Sequence, residues 1–286
     1  MTDLVTLWRE TRDRLIAAGV DTPVLDARML LEAGAGVQRT DIITDPRREL
    51  TDDQVAKVDA LVKRREAREP MGHIVGSKPF WTIELAVNRD VLIPRPETEF
   101  VVELALQMLP FAEPARVLDL GVGSGAILFA LLGARPLATG VGVDKSEPAL
   151  TVANQNAHAL GLASRVELRE GDWAEGLDDA SFDLVVSNPP YIRTYEIDRL
   201  EPEVAKHEPR LALDGGFDGL TAYRAVFPEI RRVLKPGGNF VVELGVGQAE
   251  AAWALADDAG LTPEEVKNDL SGVPRVIRGR LAQHRP

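Results

Sequence analysis

The run Asn188-Pro189-Pro190-Tyr191 brings a side-chain amide, two stiff main-chain carbonyls and an aromatic ring together in four residues. It closes the apolar stretch Phe182-Asp183-Leu184-Val185-Val186-Ser187, which reads as a buried strand. The residue before a proline is steered into extended geometry, and neither proline has an N–H to donate. Carbonyls at this strand end therefore lack an easy helical or ladder partner. In an open α/β sheet, ligands bind at such carboxyl ends. The set can grip a planar NH₂ group: Asn188 Oδ1 and the Pro189 carbonyl would accept its two hydrogens, with Tyr191 packed nearby and Pro190 stiffening the loop. A proline-stiffened strand exit without chemistry is the plainer alternative, and the neighbouring strands argue against it.

Val117-Leu118-Asp119-Leu120 runs directly into Gly121-Val122-Gly123-Ser124-Gly125, and an apolar helix pattern follows. Glycine permits the sharp turn and lets main chain approach a ligand closely. Dinucleotide sites also use glycine-rich turns, but here the third glycine of G-x-G-x-x-G is missing. Asp119 at the strand's end would meet a pyrophosphate as a second anion. It suits the ammonium of a zwitterionic ligand such as S-adenosylmethionine, or it caps the turn, or both. The next strand pattern, Thr139-Gly140-Val141-Gly142-Val143, ends at Asp144, placed to accept both hydroxyls of a ribose. Ser146 is free to cap the helix that begins at Glu147. A third strand delivers Gly171-Asp172-Trp173, where a carboxylate can accept from an adenine amino group and an indole can cover the ring. Together these strand ends suit an adenosine-containing cofactor.

Two compositional regimes position these residues. Residues 1–70 read as short amphipathic helices. Gly19 ends the first, Thr22-Pro23 opens the second, and Thr51 with Gln54 forms a capping box at the third. Residues 71–92 read as a linker containing a β-hairpin, with His73-Ile74-Val75 as one arm, a turn at Gly76-Ser77-Lys78-Pro79, and Phe80 to Val87 as the other. From residue 93 to 286, strand and helix patterns alternate, which predicts a doubly wound, mostly parallel α/β sheet. Strands are expected near 116–120, 139–143, 165–169, 183–187, 239–244, 264–268 and 274–279.

The composition narrows the class. With 286 residues, 45% hydrophobic and 27% charged, the chain suits one large and one small domain of a globular protein. No apolar run reaches membrane-spanning length, and the opening Met1-Thr2-Asp3-Leu4 lacks signal-peptide order, so a cytoplasmic location is expected. Cysteine is absent, which excludes thiol nucleophiles and disulfides. The four histidines, His73, His158, His207 and His284, show no metal spacing. A net charge of −12 tilts away from nucleic acid. Lys63-Arg64-Arg65 with Arg68 is a candidate basic strip, with the solvated face of a helix as the alternative.

In their order, G-x-G-x-G, Asp144, Gly171-Asp172-Trp173 and Asn188-Pro189-Pro190-Tyr191 resemble the class I, Rossmann-like S-adenosylmethionine-dependent methyltransferases. N-P-P-Y narrows this to enzymes acting on planar amide or exocyclic nitrogens, without separating protein glutamine from adenine or cytosine. Other segments are more specific. Arg65-Glu66-Ala67-Arg68-Glu69-Pro70, Gly76-Ser77-Lys78-Pro79-Phe80-Trp81, Ile93-Pro94-Arg95-Pro96-Glu97-Thr98-Glu99, His207-Glu208-Pro209-Arg210 and Gly216-Phe217-Asp218-Gly219-Leu220 closely resemble the release-factor glutamine methyltransferase (HemK/PrmC) family. Met71-Gly72-His73-Ile74, and Val122 in place of a common threonine, depart from its pattern.

The resemblance implies a seven-stranded sheet and a helical N-terminal domain that docks substrate. It also implies a monomer and N5-methylation of the glutamine in the Gly-Gly-Gln loop of class 1 peptide chain release factors. S-adenosylmethionine would leave as S-adenosylhomocysteine, bound by Asp119, Gly121, Val122, Gly123, Ser124, Gly125, Asp144, Asp172, Trp173 and Asn188. Substrate would be held by Asn188, Pro189, Pro190 and Tyr191, with Arg95 and the 207–219 loop as candidate gates. The expected chemistry is positioning, with no metal, no membrane and no nucleic-acid substrate. An adenine or cytosine amino-methyltransferase is the first alternative, and a catalytically silent cofactor-binding module the second.

Overall fold

The computed structural model describes residues 2–283; Met1 and His284 belong to the segments outside the described residues. Two compact units emerge. One runs to Gly76 and adds Glu201–His207; the other takes Ser77–Leu200 and the chain from Glu208 onward.

In the first unit, α1 (Leu4–Ala17), α2 (Pro23–Ala35) and α4 (Asp52–Glu66) pack around Leu4, Leu15, Leu30, Leu31, Val58 and Val62, all fully buried. The short α3 (Asp41–Thr44) and α5 (Met71–Val75) complete it, with an antiparallel pair of two-residue strands, β1 (Thr2–Asp3) and β2 (Glu49–Leu50). Local signals set the helix ends. Pro23 occupies the first turn of α2, and Gly36 closes it in the left-handed region at φ 66°. Both arms of the Thr51–Gln54 capping box are present: Gln54 N–H donates to Thr51 Oγ1 at 3.2 Å, and Thr51 N–H to Gln54 Oε1 at 3.0 Å.

Two expectations are corrected here. His73-Ile74-Val75 is helical, not a strand: Pro70 fixes the entry to α5, and Gly76 at φ 83° closes it with an N–H to the Gly72 carbonyl. The hairpin instead pairs β3 (Ser77–Phe80) with β4 (Ile83–Ala86) through a two-residue turn at Trp81-Thr82. Trp81 takes φ 52° there, which no glycine or asparagine announced. The basic strip is a solvated face only in part: Lys63 and Arg64 are exposed, whereas Arg65 and Arg68 turn inward. Lys63 pairs with Asp59 at 2.8 Å, Arg64 with Glu69 at 2.6 Å, and Arg65 with Asp26 at 2.8 Å, the last two side chains only 7% and 3% exposed. Glu203, on α9 (Pro202–His207), accepts from both Arg65 and Arg68.

The second unit is a three-layer α/β sandwich. Its strands are β5 (Ala115–Leu120), β6 (Ala138–Asp144), β7 (Val166–Glu170), β8 (Phe182–Ser187), β9 (Leu234–Glu243), β10 (Thr262–Asn268) and β11 (Pro274–Arg280), arranged β10-β11-β9-β8-β5-β6-β7. β11 alone runs against its neighbours β9 and β10; the other four pairings are parallel. Side chains alternate between faces, as the pleat requires. Val117, Leu184, Val186 and Val241 pack with α6 (Glu99–Met108), α7 (Ala126–Ala134) and α8 (Glu147–Ala159). Leu118, Leu120, Val185 and Val242 pack with α10 (Thr221–Val233) and α11 (Ala249–Asp258). Each large aliphatic side chain so buried contributes ~1.5–3 kcal/mol, so the sheet is a firm base for the loops at its edge. The chain leaves β5 toward β6 and β7, then returns to place β8 on the other side of β5. This switch point is where such a fold opens a crevice, and it carries both the glycine turn and Asn188.

Candidate active site

The glycine turn is held from beneath. The N–H groups of Gly121 and Val122 both donate to the Val143 carbonyl, at 2.9 and 3.0 Å. Gly121, Gly123 and Gly125 take φ 78°, 53° and 87°, values that side chains disfavour. A Cβ on Gly125 would stand 2.0 Å from the Phe129 ring, whereas Gly123 faces open space. Gly125→Ala should therefore lower the unfolding free energy by more than ~1 kcal/mol; urea unfolding checks this, and an unchanged midpoint would show that Phe129 can move aside. Val122 is buried against Gly142, where an added Cβ would lie 2.8 Å from its methyl. Asn156, buried on α8, donates to the Ser124 and Ala86 carbonyls at 2.9 and 3.0 Å and so fixes the far side of the turn.

Two carboxyls approach this cradle. Asp119 is 1% exposed, and its Oδ1 has no hydrogen-bond partner. Burial pushes its pKa up to about 7, with the Leu128 N–H opposing and Asp144 adding to the rise. Asp144, at the end of β6, accepts from Gly123 N–H at 2.8 Å and Ser146 N–H at 2.9 Å. Its pKa is also raised by burial, against those main-chain donors. Ser146 caps α8 by accepting from Ala149 N–H, so that task does not fall to Asp144.

One cavity joins these groups. Asp119, Gly121, Val122, Gly123, Ser124, Asp144, Asp172, Trp173, Asn188, Pro190 and Arg95 all line it, along with Thr98. Gly125, Pro189 and Tyr191 do not. Asp172 is exposed and pairs with Lys145 at 3.0 Å, while Trp173 is half-buried with φ 54° and packs against the core as well as the cavity. Arg95 is clasped by Glu208 at 2.6 Å, a carboxylate with a 1% exposed side chain, which joins the Pro94–Pro96 segment to the loop carrying Pro209 and Leu211.

Around N-P-P-Y the structure adds residues that sequence reasoning missed. Asn188 Nδ2 donates to Thr98 Oγ1 at 3.2 Å. The Tyr191 hydroxyl donates to Glu243 Oε1 at 3.1 Å, and its carbonyl accepts from Gln248 Nε2 at 2.9 Å. Glu243 is 2% exposed and its carboxyl is raised to about 7, chiefly by burial. The signal for Glu243 was available: a lone acid at the end of the apolar run Phe240-Val241-Val242-Glu243-Leu244.

Residues 6–76 match the family model described as the PrmC N-terminal domain, and residues 112–279 match that of a methyltransferase domain. A release factor glutamine methyltransferase of Caulobacter vibrioides is 55% identical over 276 residues, covering 96% of each chain. The chain belongs to the release factor glutamine methyltransferase family. A second member, from Rhodospirillum rubrum, is 45% identical over 93% of this chain and 82% of its own. Among solved structures, a methyltransferase from Pyrococcus furiosus superposes with a TM-score of 0.52 at 16% identity, over 69% of this chain and 88% of that one, which speaks to the fold alone. As a family member with a methyltransferase domain, the protein is an enzyme.

Proposed function

We propose that the protein transfers a methyl group from S-adenosylmethionine to the side-chain amide nitrogen (N5) of the glutamine in the Gly-Gly-Gln loop of class 1 peptide chain release factors, in the cytoplasm and as a monomer. The observation that carries this reading is that Asn188 and the glycine cradle open into one cavity beside a buried carboxyl oxygen with no partner. That orphaned Asp119 oxygen fits a cationic group, and the side-chain-free surface at Gly121 and Gly123 fits a ligand lying against main chain. S-adenosylmethionine, when bound, supplies the electrophilic methyl group and leaves as S-adenosylhomocysteine. Asp119 would pair with its ammonium, Asp144 would accept from its ribose hydroxyls, and Asp172 and Trp173 would meet its adenine. Gly121, Val122, Gly123 and Ser124 would form the cradle, with Gly125 turning the chain into α7 behind it.

The substrate amide needs help because its lone pair is delocalised into its carbonyl. Asn188 Oδ1 and the Pro189 carbonyl would accept its two N–H hydrogens, hold the nitrogen in line, and stabilise the positive charge that develops there. Pro189 and Pro190 keep that strand exit rigid, and Glu243 anchors Tyr191 behind it. The product amide sheds its extra proton readily, so no strong base is required. Arg95, held by Glu208, would border the substrate's entry. Residues 1–70 would dock the release factor, with 71–92 as the connection to the catalytic domain at 93–286.

A nucleic-acid amino group would satisfy the same acceptors. Arg65 and Arg68, turned inward onto Asp26 and Glu203, speak against that reading, because they are withdrawn from any phosphate. Incubation with labelled cofactor and either a release factor or its Gln→Ala loop variant tests the proposal. Label should appear on the wild type alone; label on total RNA instead would favour the alternative.

Cofactor affinity should depend on pH through Asp119. Its raised pKa means that below about pH 7 the free enzyme holds a proton that pairing with a cation must expel. Affinity is then full above that value and is lost as pH falls through it, roughly tenfold weaker at about pH 6 than at about pH 8. Calorimetric titration of wild type and Asp119→Asn checks this; the variant should bind weakly, with a shallower fall between about pH 8 and about pH 6 than the wild type. A flat profile in the wild type would remove the Asp119 pairing.

A further inference from the structure

Large apolar side chains stand exposed at both ends of the sheet, but one group of them is built onto the site. Phe217 is 86% exposed and Tyr195 50%, and their rings face each other at 6.5 Å between centroids, tilted by 60°. Contiguous exposed apolar groups mark interaction sites, whereas isolated ones need no explanation.

The two rings are carried by chain segments that run side by side beyond Tyr191. Ile192 N–H donates to the Leu213 carbonyl at 3.0 Å, Gly215 N–H to the Ile192 carbonyl at 2.8 Å, and Thr194 N–H to the Gly216 carbonyl at 3.0 Å. The Thr194 hydroxyl adds a bond to Asp214 Oδ1 at 2.6 Å. Buried Gln248 closes the base, its Nε2 donating to the carbonyls of Tyr191 at 2.9 Å and Gly219 at 3.3 Å. The packing there leaves no slack: a Cβ on Gly215 would lie 2.8 Å from Tyr191 Cα, and one on Gly219 2.6 Å from the Tyr191 carbonyl oxygen. The ring pair is therefore fixed relative to N-P-P-Y, and the chain from Asn188 to Tyr195 spans at most ~25 Å. Leu211, just before the paired stretch, lines the cavity and is itself half-exposed, so one segment presents apolar groups to both cavity and rim.

Charge around the rings is of both signs. Arg193 pairs with Glu196, Arg210 with Asp198, and Arg224 with Asp218. A phosphate backbone laid over this rim would meet those carboxylates beside the arginines. An apolar centre with a mixed polar rim is instead the anatomy of a protein interface, and a rigid one loses little freedom on binding.

We propose that Tyr195 and Phe217 form a docking surface for the class 1 release factor, gripping the polypeptide that flanks its Gly-Gly-Gln glutamine while that side chain reaches Asn188. This rests on the release-factor reading of the site and gives the catalytic unit its own contact with the substrate protein. Aromatic rings supply large contact area at such interfaces.

The test is steady-state methyl transfer to a class 1 release factor at saturating S-adenosylmethionine. Tyr195→Ser combined with Phe217→Ser should raise KM for the release factor by ~10-fold or more, the loss expected when anchoring interface residues are truncated. The kcat and the cofactor Kd should stay within about twofold, because neither ring lines the cavity. Phe111→Ser is the control: Phe111 is 68% exposed in the loop before β5, at the amino end of the sheet and beside Arg135, and its loss should leave KM unchanged.

An unchanged KM in the double variant, an equal rise in Phe111→Ser, or a loss confined to kcat would each overturn the proposal. So would a wild-type dimer that the double variant turns into a monomer in sedimentation, since the rings would then bind a second copy of this chain. Should the double variant not fold, Phe217→Ser alone decides by the same split. The underlying reading fails separately. A wild type that leaves the release factor unmodified removes the substrate itself, whereas an active wild type beside a double variant of unchanged KM removes only the docking surface.

Discussion

Asn188→Ala should slow methyl transfer by at least ~10²-fold, the scale of a small misplacement at a reacting centre, while leaving cofactor affinity nearly intact. Asn188 stands where β8 ends, at the switch point of the sheet, and Ser187 immediately before it is tied to β5 through its hydroxyl on the Leu120 carbonyl at 2.7 Å. The loop is thus held on its strand side, and the buried Pro189 stiffens it beyond. Removing the amide takes away one of two acceptors for the substrate N–H groups and leaves the rest of the cavity standing. The cradle made by Gly121, Gly123 and Asp144 has no hydrogen bond to the Asn188 side chain. Calorimetric cofactor titration beside single-turnover transfer separates the two effects. Near-normal turnover would take Asn188 out of the chemistry.

Asp144→Ala should act on the opposite quantity, weakening cofactor affinity by ~10²–10⁴-fold from the loss of two charge-assisted hydrogen bonds worth ~1.5–3 kcal/mol each. In the free protein each carboxylate oxygen already accepts one main-chain N–H, from Gly123 and from Ser146. A carboxylate oxygen can accept more than one donor, so capacity for ribose hydroxyls remains. Asp144 thereby links the glycine turn to the start of α8. Asp144→Asn, with a single acceptor oxygen, should fall between wild type and alanine. An alanine variant that binds cofactor as the wild type does would remove Asp144 from the site.

The parts of the molecule legible in the sequence are those encoded within a few residues. Glycines that must adopt positive φ announced the turn at 121–125, and the Thr51–Gln54 capping box announced α4. Short apolar runs marked the central strands of the sheet. The helix at Met71–Val75 was hidden because five residues are too few to show a helical period, and His73-Ile74-Val75 has strand-like composition. Long-range partners were hidden for a different reason. Arg65 and Glu203 are separated by 138 residues, Arg95 and Glu208 by 113, and Asn188 and Thr98 by 90. No local pattern encodes such pairs. The inward turn of Arg65 and Arg68 toward Asp26 and Glu203 was therefore hidden, as was the bond from the Tyr191 hydroxyl to Glu243 at the end of β9.

The most direct measurement is tandem mass spectrometry of a class 1 release factor after incubation with the enzyme and S-adenosylmethionine. One methyl group on the side-chain nitrogen of the Gly-Gly-Gln glutamine, at least ~10²-fold slower to appear with Asn188→Ala, is the predicted result. An unmodified release factor, with methyl groups appearing on adenine or cytosine of added nucleic acid, would contradict it.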